Sequence, residues 1–150
     1  MFIFLDTETT ENGPADRICQ IAFKTEDGLT ANELFNPGMT ISIDAMTAHH
    51  ITNEMDRDKG SFRGSAVWNQ LQNLIVPNSN VIVAHNVVFD VDMLKKEGIE
   101  PKNVIRTPKL ARSFDKVSVI PRYSLQHLRY FLKLNIDATR HTALGDILFL

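Results

Sequence analysis

The sequence has a single cysteine, Cys19, among 150 residues, so no disulfide can form within the chain. That excludes a disulfide scaffold and fits a reducing compartment such as the cytoplasm. No apolar run approaches the roughly 18 residues that suggest a membrane span. The apolar start Phe2–Leu5 has no basic flank and turns polar at Asp6, unlike a signal peptide, so no membrane partner is expected. Neither sign of charge dominates: the net charge is −2, which argues against a protein that coats nucleic acid indiscriminately. Internal repeats, low-complexity tracts and linkers are also missing.

What remains is an ordinary globular composition, 43% hydrophobic and 23% charged. A chain of this length buries roughly two-thirds of its unfolded surface, so the expectation is one domain over residues 1–150. The charge is unevenly spread. Residues 1–75 carry 5 basic and 11 acidic side chains, and residues 76–150 carry 11 and 7. A basic half can grip a phosphate backbone beside an acidic, metal-binding pocket. The blander reading is a set of solvated helix faces.

Hydrophobic periodicity sets the order of elements. Phe2–Asp6 is a continuous apolar run, as a central, doubly covered strand requires. Ile18–Lys24 and Leu29–Asn36 read as strands joined at Asp27-Gly28, a hairpin signal. A short helical piece is expected near Asp44–His49. Ser61–Val76 has helical spacing through Phe62, Ala66, Val67, Leu71, Leu74 and Ile75. Val81–Ala84 reads as a buried strand, and Asn86 as the N-cap of a helix over Val87–Glu97 closed by Gly98. Val104–Thr107 is a short strand. Ser124–Leu134 is an amphipathic helix with Leu125, Leu128, Phe131 and Leu132 inward. A last helix starts near Thr142, with Ala143, Ile147 and Leu148 toward the core. This order predicts an α/β fold with a mixed five-stranded sheet, three strands in an antiparallel meander and two parallel, flanked by helices.

Three short segments carry chemistry. In Asp6-Thr7-Glu8, residues two apart on an extended chain point to one side. Two carboxylates therefore meet straight after an apolar strand, and a divalent cation relieves their repulsion. Oxygen-only donors favour Mg²⁺ or Mn²⁺ over zinc. In Ala84-His85-Asn86-Val87-Val88-Phe89-Asp90, the acid lies one turn into a helix and can face the sheet edge. In His141-Thr-Ala-Leu-Gly-Asp146, a histidine precedes a helix that carries an acid. Each alone has a bland reading as a solvated strand end, a helix N-terminal acid or a loop histidine. Together they put four acids and one histidine on elements that can converge beyond the carboxyl ends of two strands.

In this combination and order the sequence resembles the DEDD exonuclease superfamily, in its DnaQ-like, histidine-containing (DEDDh) branch. Asp6-Thr-Glu-Thr-Thr10, Ala84–Asp90 and His141–Asp146 are similar to the three motifs, and Ala45–Thr52 resembles the segment before the first long helix. The resemblance covers residues 2–150 and implies a ribonuclease H-like fold. It implies metal-dependent removal of nucleoside 5′-monophosphates from a single-stranded or frayed 3′ end, DNA favoured over RNA. Asp6, Glu8, Asp90 and Asp146 would hold two divalent cations, and His141 would be the general base. Thr7, Thr9, Thr10, His49, Asn86 and Phe89 would lie beside the substrate, although ordinary core packing also accounts for Phe89. A proofreading partnership with a DNA polymerase subunit, a stand-alone nuclease and self-association all stay open.

The sequence departs from the family pattern at Glu11 and His50, where glycine is common. It departs again at Arg106-Thr107-Pro108, where Asp-Thr-Leu is common. The last helix would end at Leu150, earlier than is usual, which suggests a truncated helix. A catalytically silent nucleic-acid-binding module of this fold is the main alternative, though such modules should lose one of the five residues. The first motif also faintly resembles that of haloacid-dehalogenase-like phosphatases, but a hairpin follows the first strand where that fold needs a helical crossover.

Overall fold

The computed structural model describes residues 1–134, 143–148 and 150. His141 and the expected helix start at Thr142 lie outside the described residues. The sheet is mixed and five-stranded. β1 (Phe2–Thr9), β2 (Ile18–Thr25) and β3 (Thr30–Leu34) form the antiparallel meander. β4 (Val81–Ala84) and β5 (Val104–Arg106) extend it in parallel on the other side of β1, giving the order β3-β2-β1-β4-β5. The helices are α1 (Ile43–His49), α2 (Ala66–Ile75), α3 (Val87–Lys96), α4 (Thr107–Phe114), α5 (Leu125–Phe131) and α6 (Ala143–Ile147).

Alternation along β1 decides which layer lies where. Ile3 and Leu5 point to one face, where they join Ile21 and Phe23 of β2, Val67 and Leu71 of α2, and Leu94 of α3. Each fully buried side chain of this kind contributes about 1.5–3 kcal/mol. Phe4 points to the other face and packs with Ala22 of β2 against Ala143 and Ile147 of α6. β1 is therefore central and covered on both faces, as its unbroken apolar run requires. The β2–β3 hairpin turns through Gly28 at φ 98°, a left-handed conformation that suits glycine.

Several details differ from the sequence expectation. α2 starts at Ala66, not Ser61, because Ser65 Oγ accepts from Trp68 N at 3.1 Å and caps it; Phe62 is buried from the preceding segment. Asn86 occupies the cap position of α3 but makes no side-chain cap bond; its backbone carbonyl accepts from Phe89 N at 2.8 Å instead. α4 was not expected at all. Pro108, part of the departure from the family's Asp-Thr-Leu, sits in its first turn, where the missing N–H is harmless. In α5 only Leu128 is buried, and Phe131 and Leu132 are exposed. Leu148 is likewise exposed rather than inward. Among the described residues no helix is long and apolar enough to cross a membrane.

Ala22 is fully buried beneath α6, so Ala22→Leu is expected to destabilise the protein by about 1–3 kcal/mol through overpacking. Urea unfolding measures this, and an unchanged midpoint would mean that α6 does not pack where described.

Candidate active site

β1 outruns its parallel partner. β4 pairs with Phe2, Ile3 and Phe4 and goes no further along β1. α3 begins at Val87, with two residues between it and the end of β4 at Ala84, and its first turn brings Asp90 to the edge left open. Asp90 Oδ1 accepts from Thr7 N at 3.2 Å and from Thr7 Oγ1 at 2.8 Å. Asp90 is buried, and its Oδ2 has no hydrogen-bond partner.

Asp6 and Glu8 stand on the opposite face of β1 from Thr7, the face that α6 covers. α6 carries Asp146. The register of β1 against β2 slips between Glu8 and Thr9, a bulge that ends regular pairing at the acids. The four carboxylates thus reach one end of β1 from both faces and sense one another. Burial, then Asp90, Glu8 and Asp146, holds the Asp6 carboxyl well above the usual carboxylate range. Burial, then Asp146 and Asp90, pushes Glu8 up to about 7. Burial also raises Asp90 to about 7, against the lowering effect of the Thr7 hydrogen bonds.

This donor set suits a hard divalent cation: oxygen ligands only, a shared excess of negative charge, and a buried Asp90 Oδ2 in want of a partner. Among the described residues, however, no three acidic, histidine or cysteine side chains are gathered as a closed metal site. Coulomb coupling reaches over several ångströms, whereas ligation needs oxygens about 2.0–2.1 Å from Mg²⁺. The acids are near enough to repel one another.

A cavity of about 320 Å³ adjoins Glu8. Thr7, Thr9, His49 and Phe89 line it, together with Asp44, Ala45 and Ala48 of α1, which the sequence marked as a short helix without a site role. His49 is locked in one neutral tautomer. Its Nδ1 accepts from Ile51 N at 3.0 Å, so Nε2 carries the proton and donates to Thr9 O at 3.1 Å. Burial lowers its pKa accordingly. Phe89 also packs against the core, so both readings of it hold. Two expected residues do not line the cavity. Asn86 is exposed nearby in sequence, and Thr10 is fully buried, donating to Asp16 Oδ1 at 2.6 Å and accepting from Arg17 N at 3.1 Å. Asp16 Oδ2 in turn accepts from Gly13 N at 2.6 Å. A Cβ on Gly13 would stand 2.8 Å from that oxygen, which explains the glycine here. His50 is exposed in the left-handed region at φ 62°, capping α1, and does not line the cavity. That backbone accounts for the glycine common at this position.

A family model described as an exonuclease, RNase T in type, matches residues 3–150. No curated protein sequence matches the chain. Among solved structures, Exonuclease X in complex with 5′ overhanging duplex DNA is 28% identical at TM-score 0.73, over 99% of this chain and 86% of that one. E. coli exonuclease I with a dT13 oligonucleotide is 21% identical at TM-score 0.77, over 99% of this chain and 39% of that one. The zinc-bound E. coli exonuclease I–ssDNA complex is 21% identical at TM-score 0.79, over 99% and 38%. At that identity the two exonuclease I matches show the fold alone, and the chain spans about two-fifths of their length.

The raised carboxyls fix a pH dependence. Their unfolded values lie near 4, so the metal-free native state binds more protons than the unfolded state up to about pH 7. Stability contributed by the protonated acids is therefore lost as pH rises through 7. His49 and His85, both lowered, act oppositely but only below about 6.5. In EDTA the protein should lose stability between about pH 6.5 and 8, and Mg²⁺ or Mn²⁺ should restore it. Chemical unfolding at both pH values, with and without metal, checks this.

Proposed function

The chain belongs to the RNase T exonuclease family, in its DnaQ-like DEDD form, and on that premise we propose that it removes nucleoside 5′-monophosphates one at a time from a free 3′ end. The substrate is single-stranded or frayed nucleic acid, DNA favoured over RNA. The observation that carries this reading is the end of β1, where the buried Asp6 carboxyl feels Asp90, Glu8 and Asp146 and a cavity of about 320 Å³ opens beside Glu8.

Asp6, Glu8, Asp90 and Asp146 would hold two divalent cations, Mg²⁺ or Mn²⁺, which when bound lower the pKa of a water and neutralise charge on the scissile phosphate. Asp6 is coupled to all three other acids, the position suited to serving both ions. Asp90 is aimed by Thr7, which holds Oδ1 and leaves Oδ2 for the site. The cavity bounded by Thr9, Ala48, His49 and Phe89 receives the terminal nucleotide, with the Phe89 ring available to a base. The neutral His49 spends both ring nitrogens on the backbone, so it shapes the cavity wall and holds α1 to β1. His141 is assigned the general base role on its place in the third motif. A proton acceptor working near neutral pH is what the attacking water needs.

The cytoplasm is the proposed setting. The one thiol, Cys19, is free and buried, and burial followed by Glu8 and Asp56 pushes it up to about 12, so it stays protonated and inert. A polymerase subunit as partner rests on the resemblance alone.

A 5′-labelled single strand with Mg²⁺ should give a ladder that shortens from the 3′ end. Asp6→Asn should slow it by more than about 100-fold, and Thr7→Val, which removes only the hydroxyl donor to Asp90, by about 10–100-fold. Cleavage from the 5′ end, or a ladder indifferent to Asp6→Asn, would refute the assignment.

A further inference from the structure

Away from the acids, α4 forms the wall of a surface cavity of about 470 Å³ lined by Arg106, Pro108, Lys109 and Arg112. Three of its four lining residues are cationic, and none is acidic. The three cations recur at every third position. Lys109 and Arg112, three apart on α4, lie about 5–6 Å from each other on one helix surface, and Arg106, the last residue of β5 and the N-cap of α4, precedes them, so the three cations line one cavity in chain order as a row. Among the described residues the ion pairs are Arg17–Glu97 and Lys95–Asp92, and neither involves the row. α4 buries no residue, so core packing does not account for its cations.

The row is also held in place. The Arg112 guanidinium lies over the Tyr123 ring, 4.8 Å from its centroid. Tyr123 Oη donates to Asp115 Oδ2 at 2.6 Å. Asp115 also accepts from Val119 N and Ile120 N, both at 2.9 Å, which closes the loop after α4. At the other end, Thr107 Oγ1 and His85 Nδ1 are 2.9 Å apart. His85 follows β4 directly and lies five residues before Asp90, so this hydrogen bond ties α4 to the segment that delivers an active-site acid.

We propose that Arg106, Lys109 and Arg112 form a second, phosphate-contacting site for the single strand whose 3′ end occupies the acidic site. This rests on the exonuclease reading and extends it. A linear polyanion matches a row of cations, whereas one isolated phosphate would engage only part of it. The acids repel backbone phosphates that carry no metal, so affinity for the strand must come from elsewhere. The row supplies it at a distance from the cut.

The test uses the full chain with Mg²⁺, a labelled single-stranded DNA ending in a 3′ phosphorothioate linkage, and a trinucleotide of the same chemistry. Binding is followed by fluorescence anisotropy across a salt series. The variants are Lys109→Ala and Lys109→Ala/Arg112→Ala. Lys109 is exposed, so the single variant folds even where loss of the Tyr123 stack weakens the double. Each lost phosphate contact should reduce the slope of log K against log salt by about 0.7, and the double variant by about 1.4. Trinucleotide affinity should change less than twofold. An unchanged slope on the long strand overturns the second site and leaves the exonuclease reading intact. Equal losses on both ligands also overturn it, because the cations would then act at the 3′ end. A wild-type protein that binds neither ligand refutes the exonuclease reading and this site together.

Discussion

The site depends on a mismatch of strand lengths. β1 continues past the last residue that β4 pairs with, and an unpaired strand edge must find hydrogen bonds elsewhere. Asp90 supplies them, taking the Thr7 amide and hydroxyl on one oxygen and keeping the other bare. A longer β4 would satisfy Thr7 with backbone and leave Asp90 no place at the strand. A shorter β1 would not reach Asp6 and Glu8. One edge therefore fixes an acid from α3 against two acids from β1, while α6 closes the opposite face with Asp146.

That arrangement costs the protein stability. Four buried or half-buried carboxylates are coupled, and each of the three with a raised pKa is raised first by loss of water. The rest of the fold offsets this with an uninterrupted apolar layer on the Ile3–Leu5 face and a turn after β1 locked by Asp16. Affinity for a cation and resistance to unfolding are then two readings of one repulsion. The same logic separates the acids from the cations of α4. The Thr107–His85 hydrogen bond joins the segment before Asp90 to α4, so the two regions are linked while their charges stay apart.

Much of this was legible in the sequence because it follows from periodicity. The apolar run of β1 placed it at the centre, and the two-residue spacing put Asp6 and Glu8 on one side. The Asp-Gly hairpin followed from a local signal, and the alternation of the later strands with helices marked them as parallel. α4 was not legible: Pro108 reads equally well as the end of a strand or the start of a helix, and a helix that buries nothing leaves no core stripe to detect. The resemblance placed Thr7 and Thr10 beside the substrate, and Thr7 does line the cavity. Alternation turns Thr7 away from Asp6 and Glu8, toward α3 and Asp90, and a contact with a residue 83 positions away has no local signature. Thr10 turned to Asp16 because the chain must fold back tightly between β1 and β2. Phe131, Leu132 and Leu148 misled for the opposite reason: helical spacing names a face without saying what covers it.

The most direct measurement is a crystal structure grown with Mn²⁺ and examined by anomalous scattering. The account predicts manganese among Asp6, Glu8, Asp90 and Asp146, with Asp90 Oδ2 turned to the ion and Oδ1 still held by Thr7. Manganese bound elsewhere with these four acids bare, or Asp90 detached from Thr7 in the metal complex, would contradict it.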